Sequence, residues 1–374
     1  MGEDKGGWVF KRIVIKLGTN VLTGGTEHLS RPRVLGLVRQ VAYLHGQGLE
    51  LIVVTSGAIM AGREILAPSN GDKSIPRKQV CAAIGQGRLM HLYEQLFELY
   101  DINVAQVLLT REDMGDRERY LNARNTFLAL LQRRIVPIVN ENDVVAVEEI
   151  KVGDNDNLSA MVVNLVDADL LALLTDTEGL YTADPHFDEK ATLISEVPAI
   201  DEEVWRLAGR AADEMGTGGM ITKVQAAELA TRSGATVVIA RGGEKDVVIR
   251  LAAGEAIGTR FLPTASKMES RKRWILAESA LKGELQVDEG AAKALKYEGK
   301  SLLPVGVMAV FGDFDRGASV RILDLGGKEI ARGIVRYGAA DLERIKGMHS
   351  EKIEEVLGYG YGDEVVHRDD LVVF

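Results

Sequence analysis

Through the first two-thirds of the chain, short runs of apolar, mostly β-branched residues alternate with longer stretches of helical periodicity, with Gly- or Asn-rich turns between them. Such alternation predicts βαβ units and a parallel sheet. The expected strands are Arg12–Leu17, Leu49–Thr55, Asn103–Leu109, Ile135–Asn140, Asp169–Thr175 and Thr236–Ala240. The expected helices include Arg31–Gln47, Arg77–Tyr100, Ala123–Arg133, Asn157–Asp167, Asp201–Ala212 and Thr222–Ser233. Most of the strands are apolar throughout, as happens when helices cover both faces of a sheet. The fold class is therefore α/β, an αβα sandwich with a mainly parallel central sheet.

The pattern changes after Pro263. A polar, basic connector (Ser266-Lys267-Met268-Glu269-Ser270-Arg271-Lys272-Arg273) leads to short strands separated by Gly turns, at Gly283–Val287, Val307–Phe311, Ser319–Leu323 and Glu329–Tyr337. Short helices are expected near Gly290–Leu295, Asp341–Lys346 and Glu351–Leu357, so the tail reads as a small β-rich, barrel-like module. We expect a first domain over residues 1–263, a linker over 264–276 and a second domain over 277–374.

Composition narrows the function. The 374 residues carry 45 Lys+Arg against 55 Asp+Glu, a net charge of -10 that weakens any nucleic-acid reading. For residues 276–374 alone the count is 13 Lys+Arg and 18 Asp+Glu, a balance of -5 that argues against RNA binding by the tail. No apolar run approaches the roughly 18–20 residues of a membrane span, and the first ten residues lack a basic-then-apolar leader. The single cysteine, Cys81, sits in an apolar stretch as a small buried filler, and a reducing, cytoplasmic setting fits best. The scattered histidines offer no zinc cluster, and no metal-ligating residues are assigned.

In an open parallel sheet the ligand site lies beyond the carboxyl ends of the strands, and five strand or loop junctions here are chemically loaded. They are Lys16-Leu17-Gly18-Thr19-Asn20, Thr55-Ser56-Gly57-Ala58, Asn140-Glu141-Asn142-Asp143 with Gly153-Asp154-Asn155-Asp156-Asn157, Thr175-Asp176, and Gly216-Thr217-Gly218-Gly219-Met220-Ile221-Thr222-Lys223. Taken singly, each also reads as a strand rim, a capped helix start or a flexible loop. The Gly-rich segment lets backbone amides approach phosphate, but it completes neither the P-loop nor the Rossmann signature. Two short matches are set aside: His367-Arg368-Asp369 imitates a protein-kinase triplet without its other elements, and Asn157-Leu158-Ser159 matches a glycosylation sequon in a chain with no mark of secretion.

Together, Val14-Ile15-Lys16-Leu17-Gly18-Thr19, Val54-Thr55-Ser56-Gly57-Ala58, Asn140-Glu141-Asn142-Asp143, Gly153-Asp154-Asn155-Asp156-Asn157 and Gly218-Gly219-Met220-Ile221-Thr222-Lys223 resemble the amino acid kinase family. The similarity runs from about Arg12 onward and includes the stretch Asp116 to Arg124, and the tail resembles a PUA domain. Asn20 departs from the pattern, since relatives commonly carry Ser there.

The resemblance implies an enzyme that moves the γ-phosphoryl group of ATP onto the side-chain carboxylate of L-glutamate, the first step of proline biosynthesis. Sibling activities on acetylglutamate, aspartate, carbamate or UMP, and an RNA-binding role for the tail, are the alternatives. It implies that Lys16 and Lys223 flank the transferring group, that Asp156 holds both, and that Gly57 and Gly18 offer backbone N–H groups. Ser56, Asp143 and Asn155 would bind glutamate. Thr175, Asp176, and Thr217, Gly218, Gly219, Met220, Ile221, Thr222 and Lys223 would line the ATP site. Mg²⁺ would bridge the ATP phosphates with few protein ligands. Feedback inhibition by proline and assembly into a homo-oligomer, dimer or tetramer, are also carried over.

Overall fold

The computed structural model describes residues 8–66, 74–146, 155–185, 188–210, 219–268 and 281–374. Their proximity divides the chain into two compact units, residues 1–115 with 122–266, and residues 116–121 with 267–374.

The first unit is built on an eight-stranded sheet. Its strands are β1 (Arg12–Leu17), β2 (Glu50–Thr55), β3 (Val104–Leu109), β4 (Val136–Glu141), β5 (Leu170–Thr175), β6 (Glu196–Val197), β7 (Thr236–Arg241) and β8 (Thr259–Phe261), in the order β3-β4-β2-β1-β5-β7-β8-β6. The first six positions of that order are parallel, while β8 runs antiparallel to β7. The expected strands of this unit all appear, within a residue at each end. The two short strands β6 and β8 were not anticipated, because two or three residues are too few to display a period.

Alternation along β1 decides what each face does. Ile13, Ile15 and Leu17 point into a core shared with the helices Arg31–Gly46, Ile75–Glu98 and Val247–Ala252. Lys16 points to the opposite face, where the helix Asn155–Val166 packs on β1 and β5 and the helix Met220–Arg232 packs on it and on β7. A lysine near the end of a strand that is apolar after Arg12 is thereby delivered under two helix starts. The helix Arg117–Gln132 begins six residues before the expected Ala123, because its first turn is polar and shows no apolar period. The helix Asn155–Val166 encloses the sequon, with Leu158 and Ser159 buried.

The short helix Ala58–Arg63, which follows Gly57, is pressed backbone to backbone against Ile75–Glu98. A Cβ built on Gly85 would lie 1.8 Å from the Ala58 carbonyl oxygen, and one on Gly62 would lie 1.9 Å from that of Cys81. Cys81 is buried in this seam, as its apolar setting suggested.

The second unit carries a five-stranded sheet, β9 (Gly283–Val287), β10 (Val307–Phe311), β11 (Ser319–Leu323), β12 (Glu329–Ile334) and β13 (Leu371–Val373), ordered β10-β9-β11-β12-β13. Its own core includes Leu285, Val320, Ile322, Val335, Tyr337 and Leu342. His367-Arg368-Asp369 is a local turn in which the His367 ring accepts the Asp369 N–H at 3.1 Å.

The glycine seam gives a stability contrast. Gly85→Ala should cost at least about 2 kcal/mol, since the added carbon forces two backbones apart. Gly87→Ala, on the same helix with nothing within 4 Å of the new carbon, should be neutral or gain up to about 1 kcal/mol. Thermal unfolding of the two variants measures the difference.

Candidate active site

The carboxyl ends of β1, β2, β4 and β5 converge on the start of the helix Asn155–Val166. Asp156, in its first turn, is 1% exposed and sits between two ammonium groups: Lys16 Nζ is 2.6 Å from Oδ1 and Lys223 Nζ is 3.3 Å from Oδ2. Thr222 donates its hydroxyl to the same Oδ2 at 2.8 Å and lies 2.9 Å from the Gly219 carbonyl oxygen. Both lysines are themselves buried. Burial alone would raise the Asp156 pKa, but the charges of Lys16 and Lys223 and the hydrogen bonds from Lys16 and Thr222 outweigh it and bring it down to about 2. Lys223 is pulled below its ordinary value, first by burial and then by Lys16, against the attraction of Asp156. One anion thus serves two cations, and the cluster carries a net positive charge in a buried setting. That arrangement suits an incoming anion.

A neutral network adjoins the cluster. Asn155 Nδ2 lies 3.0 Å from each of the Thr55 carbonyl, Ser56 Oγ and Asn140 Oδ1. Asn140 in turn donates to Gln86 Oε1 at 2.8 Å and accepts the Glu141 N–H at 2.9 Å. The Thr55 hydroxyl is 2.7 Å from that of Tyr93, with both residues fully buried. These bonds fix Asn155 so that its Oδ1, buried and without a hydrogen-bond partner among the described residues, is left as an acceptor. Asp143, two residues beyond β4, is half-buried, and burial pushes its carboxyl up to about 6. A carboxylate strained in this way gains from a cationic ligand.

On the other side of β1, Gly18 donates its N–H to the Leu174 carbonyl at 3.3 Å, so that donor is engaged within the chain. A Cβ on Gly18 would lie 3.4 Å from the same carbonyl and 3.8 Å from Lys16 Nζ, so the glycine keeps the approach to the ammonium open. Gly57 is in the left-handed region at φ 102°, a conformation glycine adopts without strain, and it turns the chain from Ser56 into the next helix. Thr175 closes β5 and donates to Asp176 Oδ1 at 3.0 Å, and Asn20 donates to Asp176 Oδ2 at 2.7 Å. Gly219 caps the helix Met220–Arg232, which brings Met220, Ile221, Thr222 and Lys223 to the site. Thr217 and Gly218, and Gly153 and Asp154 ahead of Asn155, lie outside the described residues.

The fold therefore brings Lys16, Asp156, Thr222 and Lys223 into direct contact, with Ser56 and Asn155 one hydrogen bond apart beside them. Gln86 and Tyr93 carry no mark in the sequence, being single polar groups on a long helix of ordinary composition. Among the described residues no three His, Cys, Asp or Glu side chains are placed to hold a metal ion, and Asp156 is committed to its lysines. The donor set fits phosphate oxygens rather than a cation.

An anion site of this kind at the head of an αβα sheet defines a class. Residues 11–241 match the model of the amino acid kinase family, and residues 283–357 match the PUA domain. The chain belongs to the amino acid kinase family. It is similar to the glutamate 5-kinase of Herpetosiphon aurantiacus, 55% identical over 363 residues that cover 97% of this chain and 98% of the relative. The glutamate 5-kinases of Deinococcus radiodurans (54% over 362 residues, 97% and 99% covered) and Photobacterium profundum (55% over 361 residues, 96% and 96% covered) are similar to the same extent.

Removing the shared anion should be costly. Asp156→Asn leaves two buried ammonium groups facing each other, and we expect a loss of about 3–5 kcal/mol at pH 7. The sign with pH follows from Lys223: it already lies below its ordinary value and loses the attraction of Asp156 that holds it up, so the unfolded chain binds the proton more tightly and the deficit shrinks as pH rises. Denaturant unfolding at pH 7 and pH 9.5 tests both statements.

Proposed function

We propose that this protein transfers the γ-phosphoryl group of ATP to the side-chain carboxylate of L-glutamate, yielding γ-glutamyl phosphate and ADP at the entry to proline biosynthesis. The observation that carries the proposal is the buried Lys16–Asp156–Lys223 cluster. Near-full-length similarity to glutamate 5-kinases supports the choice of acceptor.

The chemistry asks little of proton transfer. The acceptor carboxylate is ionised at neutral pH, so catalysis reduces to alignment and stabilisation of charge on the equatorial oxygens of the moving phosphoryl group. Lys16 and Lys223 would lie against those oxygens, and Asp156 keeps both charged and fixed in advance, with no reorganisation at the moment of transfer. Because Thr222 shares Oδ2 with Lys223, the Lys223 contact is the longer of the two, and this ammonium is the one more readily given to phosphate.

Glutamate would be held by Ser56, Asp143 and Asn155. The Asp143 carboxylate and the Asn155 Oδ1 acceptor are the natural partners of an α-ammonium group. N-acetylglutamate has no such group to offer them, which favours the free amino acid. Thr175, Asp176 and residues 217–223 would line the nucleotide, with Gly18 and Gly57 leaving room at the phosphates and the acceptor. Mg²⁺ would travel with ATP, its ligands drawn from phosphate and water, and supply charge neutralisation there.

We extend the reading to a cytoplasmic homo-oligomer inhibited by proline, with a catalytic domain over residues 1–263, a connector over 264–276 and a tail domain over 277–374. The two family matches, at 11–241 and 283–357, support that division. The acidic balance of the tail supports a role in regulation or assembly rather than in RNA binding. Among the described residues no helix is long and apolar enough to cross a membrane.

The direct test measures ADP release with MgATP and, separately, glutamate, N-acetylglutamate, aspartate or UMP, with hydroxylamine present to trap an acyl phosphate. Glutamate-dependent ADP and hydroxamate are expected, and activity with another acceptor alone would refute the assignment. Lys223→Ala should lower kcat by two or more orders of magnitude, on the order of one lost transition-state donor, while glutamate binding survives. Asp143→Ala should act mainly through glutamate KM. In the unaltered protein, kcat/KM for glutamate should fall as pH drops below about 6, where Asp143 takes up a proton. The kcat should not follow it, because the bound ammonium holds that carboxylate ionised.

A further inference from the structure

Asn20 has no part in the proposed chemistry. It lies in the short helix Thr19–Thr23 directly after β1, and its side chain crosses to the adjacent strand β5 to donate to Asp176 Oδ2 at 2.7 Å. Thr175 donates to the other oxygen at 3.0 Å, so Asp176 is held from its own strand and from its neighbour. These two bonds and the charge of Lys223 keep Asp176 ionised against its burial, with Asn20 the largest of the favourable contributions. Lys223 in turn feels Asp176 as a second anion besides Asp156. Lys223 is thus in contact with Asp156 and within the field of Asp176.

We propose that Asn20 is a positioning residue of the nucleotide site: its amide pins Asp176 away from Lys223, so that Lys223 stays on Asp156 and meets the phosphates there. The inference rests on the reading of Lys223 and Asp176 as nucleotide-site residues given above. An amide is suited to the task because it donates a hydrogen bond without adding charge. A carboxylate at this position would repel Asp176, and a methyl group would leave Asp176 held only by local bonds from Thr175 and its own backbone.

The test is calorimetric titration of MgATP into the full-length protein and its variants without acceptor, with glutamate KM and the unfolding temperature measured in parallel. Asn20→Ala should weaken ATP binding about five- to tenfold, the net worth of one ordinary hydrogen bond, since this one is exposed to solvent. Asn20→Asp should weaken it further. Both should leave glutamate KM within about twofold and, since Asn20 is exposed, the unfolding temperature nearly unchanged. In an Asp176→Ala background, adding Asn20→Ala should change ATP binding no further. Unaltered ATP binding in Asn20→Ala, additive effects in the double variant, or a fall in stability that accompanies equal losses for ATP and glutamate would each overturn the inference. If the unaltered protein binds no ATP at all, the kinase reading fails first and takes this inference with it.

Discussion

The site depends on a single buried carboxylate with two cationic partners. At 1% exposure Asp156 is held ionised by Lys16 and Lys223, and it is the anion that both buried ammonium groups face. Each residue comes from a different element: a strand, the start of one helix and the start of another. The geometry therefore exists only when β1, the helix Asn155–Val166 and the helix Met220–Arg232 are packed in register. Stability and chemistry are tied together here, because the interaction that closes one face of the sheet also prepares the field that a phosphoryl group would enter.

Around that centre the polar groups divide into two kinds. Asn140, Thr55 and Tyr93 hydrogen-bond within the network and to Asn155, and Gln86 accepts from Asn140 through Oε1, so that together they act as a frame. Asn155 Oδ1 is left as an acceptor that the described residues do not use, and Asp143 is a half-buried carboxyl pushed up by burial. On the opposite side of β1, Asp176 has both oxygens occupied, which turns a potential competitor for Lys223 into part of a fixed wall.

Much of this was legible in the sequence, for physical reasons. The parallel strands announced themselves because both faces are buried and the runs are apolar, whereas the polar junctions just past those runs were ambiguous singly and took their roles from the family resemblance. Lys16 interrupts the apolar residues that follow Arg12 in β1. The partnership of Thr222 with Asp156 was not legible, since 66 residues separate them and only the packing of two helix starts joins them. Gln86, Tyr93 and the Asn20–Asp176 bond were hidden for the same reason: hydrogen bonds between distant segments leave no period. The short strands β6 and β8 and the early start of the helix Arg117–Gln132 were missed because elements this brief or polar carry too little pattern.

The central claim is that transfer proceeds by charge stabilisation between two lysines, with no general base. It is tested most directly by the pH dependence of the single-turnover rate of phosphoryl transfer at saturating glutamate and MgATP. The account predicts a rate that is level from pH 6 to 8 and falls only on the alkaline side, below the ordinary lysine value of about 10.5, as Lys223 loses its proton. An acid limb near pH 7, marking a group that must be deprotonated for transfer, would contradict it.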